Sequence, residues 1–146
     1  MTTTINASTS AGLVQTADTS GALDFQTNGT TALGFDSAGV LKFNSGYGSA
    51  ATAYACRAWV SFAGATGTRT GSGNVSSVTR NSTGNYTVNF ASALVDANYS
   101  AVTTTRNGSI AGLSQGTLTT SAFTFLTSNV AGSSTDSTDN GVAVFR

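Results

Sequence analysis

The sequence contains no histidine, no glutamate and no proline. Without histidine, neither a Ser-His-Asp nor a Cys-His arrangement can be assembled. The six acids are all aspartates: Asp18, Asp24, Asp36, Asp96, Asp136 and Asp139. Glycoside hydrolysis needs two carboxylates roughly 5–10 Å apart across a sugar. Asp136 and Asp139 are the only close pair, and their segment, STDSTDNG, reads as a polar loop in which aspartates make turn hydrogen bonds. The same segment lacks the regular ligand spacing and terminal glutamate of a calcium loop. No glycine-rich phosphate motif follows a strand and opens a helix. The expectation is therefore a protein that is not an enzyme, with no cofactor and no metal.

Charge is almost as scarce. Charged residues make up 8% of the chain and the formal net charge is zero, against a usual share of about 25%. There is no basic patch for nucleic acid or an anionic membrane. No apolar run approaches the roughly 20 residues needed to cross a bilayer. Neither nucleic acid nor membrane insertion is expected. No charged stretch precedes an apolar one at the start of the sequence, so no secretory signal is read there. The Asn-x-Ser/Thr triplets at Asn6, Asn74, Asn81 and Asn107 then read as composition. The single cysteine, Cys56, excludes an intrachain disulfide framework and reads as a small buried residue. Large apolar side chains are few, which leaves little for a thick core in a single copy.

What remains is Ser, Thr, Asn, Gly and Ala, punctuated by Val, Leu and Phe. No stretch sustains a 3.6-residue period, and the alternation of apolar and polar residues points to strands throughout. One string is nearly repeated: DTSGALDFQT from Asp18 returns as DSAGVLKFNS from Asp36. Three Leu-x-Phe pairs result, Leu23/Phe25, Leu33/Phe35 and Leu41/Phe43, each on one side of a strand because strand side chains alternate. Asn28-Gly29 and Ser37-Ala38-Gly39 between them are turn signals. A few such strands are marginal in water unless something covers their apolar side. A single-chain β-helix would need apolar residues at a six-residue step, and the step from Leu23 meets Gly29 at once. A ragged linker is the bland alternative. Three copies packing their Leu-x-Phe pairs inside a triangular stalk is the preferred reading. Those six residues are then its core.

The sequence divides into a polar arm over 1–11, a β-repeat stalk over 12–48 and a head over 49–146. In the head, Ala58, Val60 and Phe62 share one face of a strand and Trp59 and Ser61 the other. Residues 64–73 read as a loop carrying Arg69. Residues 74–80 and 85–91 read as a hairpin, with Tyr86, Val88 and Phe90 on one face. A strand follows Tyr99, Arg106-Asn107-Gly108-Ser109 reads as a loop tip, and Phe123 and Phe125 share a face. Residues 133–140 read as a polar loop before a last strand over 142–145. Six to eight short strands with regular turn signals describe a small antiparallel sandwich. The fold class is all-β: a short N-terminal β-repeat stalk, trimeric and β-prism-like, followed by a small antiparallel β-sandwich head. Trp59 reads first as packing and second as a sugar-stacking platform. The arginines read first as solvated strand ends. Trp59, Arg69, Tyr99, Arg106 and Asn107 are the candidate contact residues of the head.

Two segments resemble a known class of protein. INASTSAGLVQTADTSGALDFQTNGTTALGFDSAG is similar to the repeat of tail-fibre and other fibrous proteins of tailed phages, especially cyanobacterial and marine phages. RAWVSFAGATGTRTGSGNVSSVTRNSTGNYTVNFASALVDANYSAV is similar to a C-terminal module of such proteins. The resemblance implies a virion component, usually a homotrimer, whose C-terminal module touches a glycan or protein of the host surface. Long tail fibres carry a large N-terminal anchoring domain, which is not present in this sequence. A short tail or baseplate fibre docked on another virion protein through its polar arm is the implied form. The alternative is a capsid fibre, decoration protein or baseplate connector with a purely structural role.

Overall fold

The computed structural model describes residues 20–106 and 110–146, with the side chains of 110–117 left aside. The arm over 1–11, the first stalk residues and Asn107 lie outside the described residues. The architecture is all-β, and every strand pairing is antiparallel. The chain falls into two compact units, divided between Ala53 and Tyr54.

The first unit is a meander of four consecutive strands: β1 (Leu23–Thr27), β2 (Thr30–Phe35), β3 (Leu41–Phe43) and β4 (Ala51–Thr52). Its turns explain the sequence repeat. Asn28 and Gly29 both take positive φ, 50° and 75°, which is the backbone a two-residue hairpin of matching twist requires. In the second turn the Asp36 carboxylate accepts hydrogen bonds from the N–H groups of Ala38 and Val40, at 3.0 and 2.9 Å. Gly39, at φ 75°, donates to the Asp36 carbonyl. Gly21 adopts the same left-handed conformation, at φ 68°. In the second copy of the repeat aspartate thus supplies the acceptor and glycine the backbone freedom; Asp18, its counterpart in the first copy, lies outside the described residues.

The second unit pairs two four-stranded sheets. One has the order β10 (Ile110–Leu118), β11 (Ala122–Ser128), β8 (Asn85–Phe90), β7 (Val75–Ser82). The other has the order β6 (Arg69–Gly73), β5 (Cys56–Ala63), β12 (Asp139–Phe145), β9 (Ser100–Thr105). Alternate residues of both sheets enter one core: Val60 and Phe62 of β5, Tyr86 and Val88 of β8, Phe123 and Phe125 of β11, Val142 and Val144 of β12. Phe62 meets the Tyr86 ring edge-on, with centroids 5.1 Å apart. The faces assigned to β5, β8 and β11 from alternation are those observed. Six aromatic rings, Phe62, Tyr86, Phe90, Tyr99, Phe123 and Phe125, are buried together here, so this unit builds a core from one copy. Two expectations are corrected. Residues 69–73 form strand β6 and are not loop, because β5 offers them an edge to pair with. Cys56 is exposed, being the first residue of its strand.

Candidate functional site

Register places the three Leu-x-Phe pairs in two rows on the same face of the meander. Leu23 stands opposite Phe35, and Phe35 opposite Leu41. Phe25 stands opposite Leu33, and Leu33 opposite Phe43. All six are between 37 and 45% exposed. The opposite face is polar: Asp24, Gly34, Lys42 and Thr52 pair across it, and Asp24 accepts a hydrogen bond from Thr31 at 3.1 Å. Among the described residues of this unit only Gly34 is buried. Among the described residues the meander thus has a continuous apolar face and no core.

The five expected contact residues scatter. Trp59 and Arg106 lie on the outer face of the β6-β5-β12-β9 sheet. Arg69 opens β6 and donates to Ser72 Oγ and to the carbonyl of Val75, bracing its own strand. Tyr99 is only 9% exposed, packed edge-on against Phe90, and its hydroxyl donates to the carbonyls of Thr119 and Ala122. That placement corrects its reading as a surface residue: a phenol ring at this position is needed to bridge two strand ends inside the core. Burial raises the Tyr99 hydroxyl above its usual pKa range.

Trp59 is the most informative of them. It is 47% exposed, so its first reading, as packing, is half right. Its cross-strand neighbour on β6 is Gly73, and Gly71 lies opposite Ser61. A Cβ on Gly73 would stand 2.5 Å from the indole Nε1, and one on Gly71 3.2 Å from the far end of the ring. The indole therefore lies across the β6 backbone in space that only glycine leaves open. It shields a strand that two glycines would otherwise weaken, while its other side faces solvent.

On the other side of Trp59 the floor drops. Ala143 lies opposite it on β12, and Val102 lies opposite Ala143 on β9. The next row runs Ser61, Gly141, Thr104. The result is a shallow trough of about 300 Å³ between Trp59 and the side chains of Val102 and Thr104. Beyond Gly141, on the same face, Asp139 pairs with Arg106 at 3.0 Å. A small-residue pattern on β6 and β12 was the available sequence signal for this trough; its partners on β9 depend on a pairing between distant strands.

The two aspartates of STDSTDNG part company. Asp139 belongs to β12 and the outer face. Asp136 turns toward the β7–β8 hairpin, where it accepts from Arg80 Nε and Nη2, from the Gly84 N–H and from the Tyr86 hydroxyl. Hydrogen bonding from Arg80 holds its pKa down at about 2. Arg80 is thereby an anchor and not the solvated strand end expected of it. Among the described residues no three His, Cys, Asp or Glu side chains cluster to hold a metal, and no helix is long and apolar enough to cross a membrane. Comparison with known protein families, curated proteins and solved structures finds no match for this chain.

Proposed function

We propose that this protein is a structural component of a phage particle: a short trimeric tail or baseplate fibre that contributes to adhesion on the host surface. One observation carries the reading. The meander presents six large apolar side chains on one face and, among the described residues, has no core of its own. A sheet of this kind is marginal in water as a single copy, and a contiguous apolar patch of this kind marks an association surface. Three copies arranged about an axis bring the two Leu-x-Phe rows of each copy together as a prism core, with the Asp24 and Lys42 faces outward. The resemblance of both chain segments to phage fibre proteins supports the location on a virion. The head, which has its own core, is then free to contact the cell, and many weak copies gain avidity on a repetitive surface.

The test is the solution mass of the full chain by light scattering. The expected value is three times the 14.6 kDa of one chain. The double substitution Phe25→Ser, Phe35→Ser removes one aromatic from each row and is expected to yield monomers that retain the β-sheet circular dichroism of the head. A monomeric wild type, or a trimer that survives the double substitution, defeats the stalk reading.

A further inference from the structure

From the outer face of the β6-β5-β12-β9 sheet we infer a binding site for a neutral oligosaccharide, with the Trp59 indole as the platform on which a sugar ring stacks. The inference rests on reading the head as the contact module. Three features converge on this ligand class. First, the ring is preorganised: the glycine-lined strand beneath it fixes one face, and any side chain at Gly73 would push it up. A ring already held in position gives its exposed face to a ligand with little further loss of freedom. Sugar rings present a C–H face that packs on such a surface.

Second, the charge pattern suits an uncharged ligand. The trough carries no ionisable side chain along its floor or walls. The one charged group at its end, the Arg106–Asp139 pair, is neutral as a unit and 3.0 Å apart. Its guanidinium is mostly exposed and keeps donors to spare, while the carboxylate accepts. Together with the Thr104 and Ser61 hydroxyls it offers sugar hydroxyls both partners they need, at one end of an apolar floor. An acidic glycan would find its charge met by a cation that is already paired.

Third, size favours a small ligand over a protein. The trough's 300 Å³ lies at the lower end of the ~300–1,000 Å³ of small-molecule sites. A stable protein partner would cover about 800 Å² of this unit, well beyond the trough.

Trp59 is the protein's only tryptophan, so its fluorescence reports on the trough alone. The full-length protein would be titrated with hexasaccharides of glucose, galactose and mannose to millimolar concentration, with an oligogalacturonate as the acidic comparison. Stacking is expected to shift the emission to shorter wavelength and to protect it from acrylamide. Calorimetry on Trp59→Ala should show at least a tenfold loss of affinity, about that of a central aromatic anchor, with Trp59→Phe retaining part of it. Ala143→Leu, which fills the floor and leaves the reporter in place, should abolish the emission shift. Absence of any response to the neutral sugars overturns the inference, as does a response confined to the acidic one, or binding that survives Trp59→Ala. A trimer by light scattering that ignores all sugars would refute the trough and leave the fibre reading standing; a sugar-binding monomer would do the reverse.

Discussion

Replacing Asp136 by asparagine is expected to cost the head about 2 kcal/mol at neutral pH and to remove one limb of its acid denaturation. The carboxylate draws three segments together. Arg80 of β7 reaches it through Nη2 at 2.7 Å and Nε at 3.1 Å, the Gly84 N–H of the hairpin turn at 2.8 Å, and the Tyr86 hydroxyl at 2.8 Å. The Arg80 hydrogen bonds are the main reason its pKa falls from 3.8 to about 2. The side chain is 20% exposed, so solvent screening removes little of the effect. At 1.36 kcal/mol for each pK unit, the depressed pKa corresponds to about 2 kcal/mol of stability. Because the folded value lies below the unfolded one, that stability is complete above about pH 4 and is lost as the pH falls toward about 2. Urea unfolding followed by far-ultraviolet circular dichroism, at fixed protein concentration and a series of pH values from 7 to 2, measures it. The wild type should exceed Asp136→Asn by about 2 kcal/mol at pH 7 and at pH 5, and the gap should close by about pH 2. The reasoning is refuted by equal stabilities at pH 7, or by a gap that persists unchanged in acid.

Three further outcomes follow from close contacts and one buried phenol. Gly64→Ala should destabilise the head by about 3 kcal/mol or more, since its Cβ would stand 2.1 Å from the Ser137 carbonyl and 2.9 Å from the Tyr86 hydroxyl; a shift in urea midpoint checks it. Gly73→Ala should instead act on the trough, lifting the indole and raising its acrylamide quenching, with a stability change of about 1 kcal/mol or less because a side chain at the surface can move aside. At high pH the Tyr86 hydroxyl, raised from 10.0 to about 12 chiefly by burial, should resist ionisation. Its contribution to stability is present below about pH 10 and lost as the pH rises toward about 12, which absorbance of the phenolate against pH will follow.

Local pattern made much of this fold legible. The alternation in AWVSF and NYTVNF identified the inward faces of β5 and β8, because a two-residue period is a property of each strand alone. The Leu-x-Phe spacing and the turn signals Asn28-Gly29 and Ser37-Ala38-Gly39 likewise marked strands, turns and the apolar side of each strand in the first unit, while the order of the meander is a matter of register. What failed depended on pairing, most of it distant. Arg69 to Gly73 looked like loop because a glycine-rich stretch becomes a strand only when a neighbouring edge satisfies its backbone. Arg80 looked solvated because its partner, Asp136, lies 56 residues away. Tyr99 looked like surface because its two carbonyl acceptors, Thr119 and Ala122, lie 20 and 23 residues further along the chain. The trough was invisible for the same reason: Trp59, Ala143 and Val102 form one row only after β12 has entered between β5 and β9.

That position of β12 makes closure of this sheet depend on a strand far along the chain. Strand β5 has no partner on its inner side until the ribosome has delivered residues 139–145, and β9 waits for the same segment. Pairing across such sequence separations is slow, since chain closure must precede any gain from contact. The meander is the opposite case, with each strand following its neighbour and nothing to await. During synthesis its apolar face can therefore form while the β6-β5-β12-β9 sheet still lacks β12. Neighbouring nascent chains on one message are within reach of one another at that moment. If the proposed trimer forms, an order of events in which copies meet through the meander first, and each head closes afterwards as β12 pairs, keeps the sticky edges of unfinished heads from being the first surfaces to find each other.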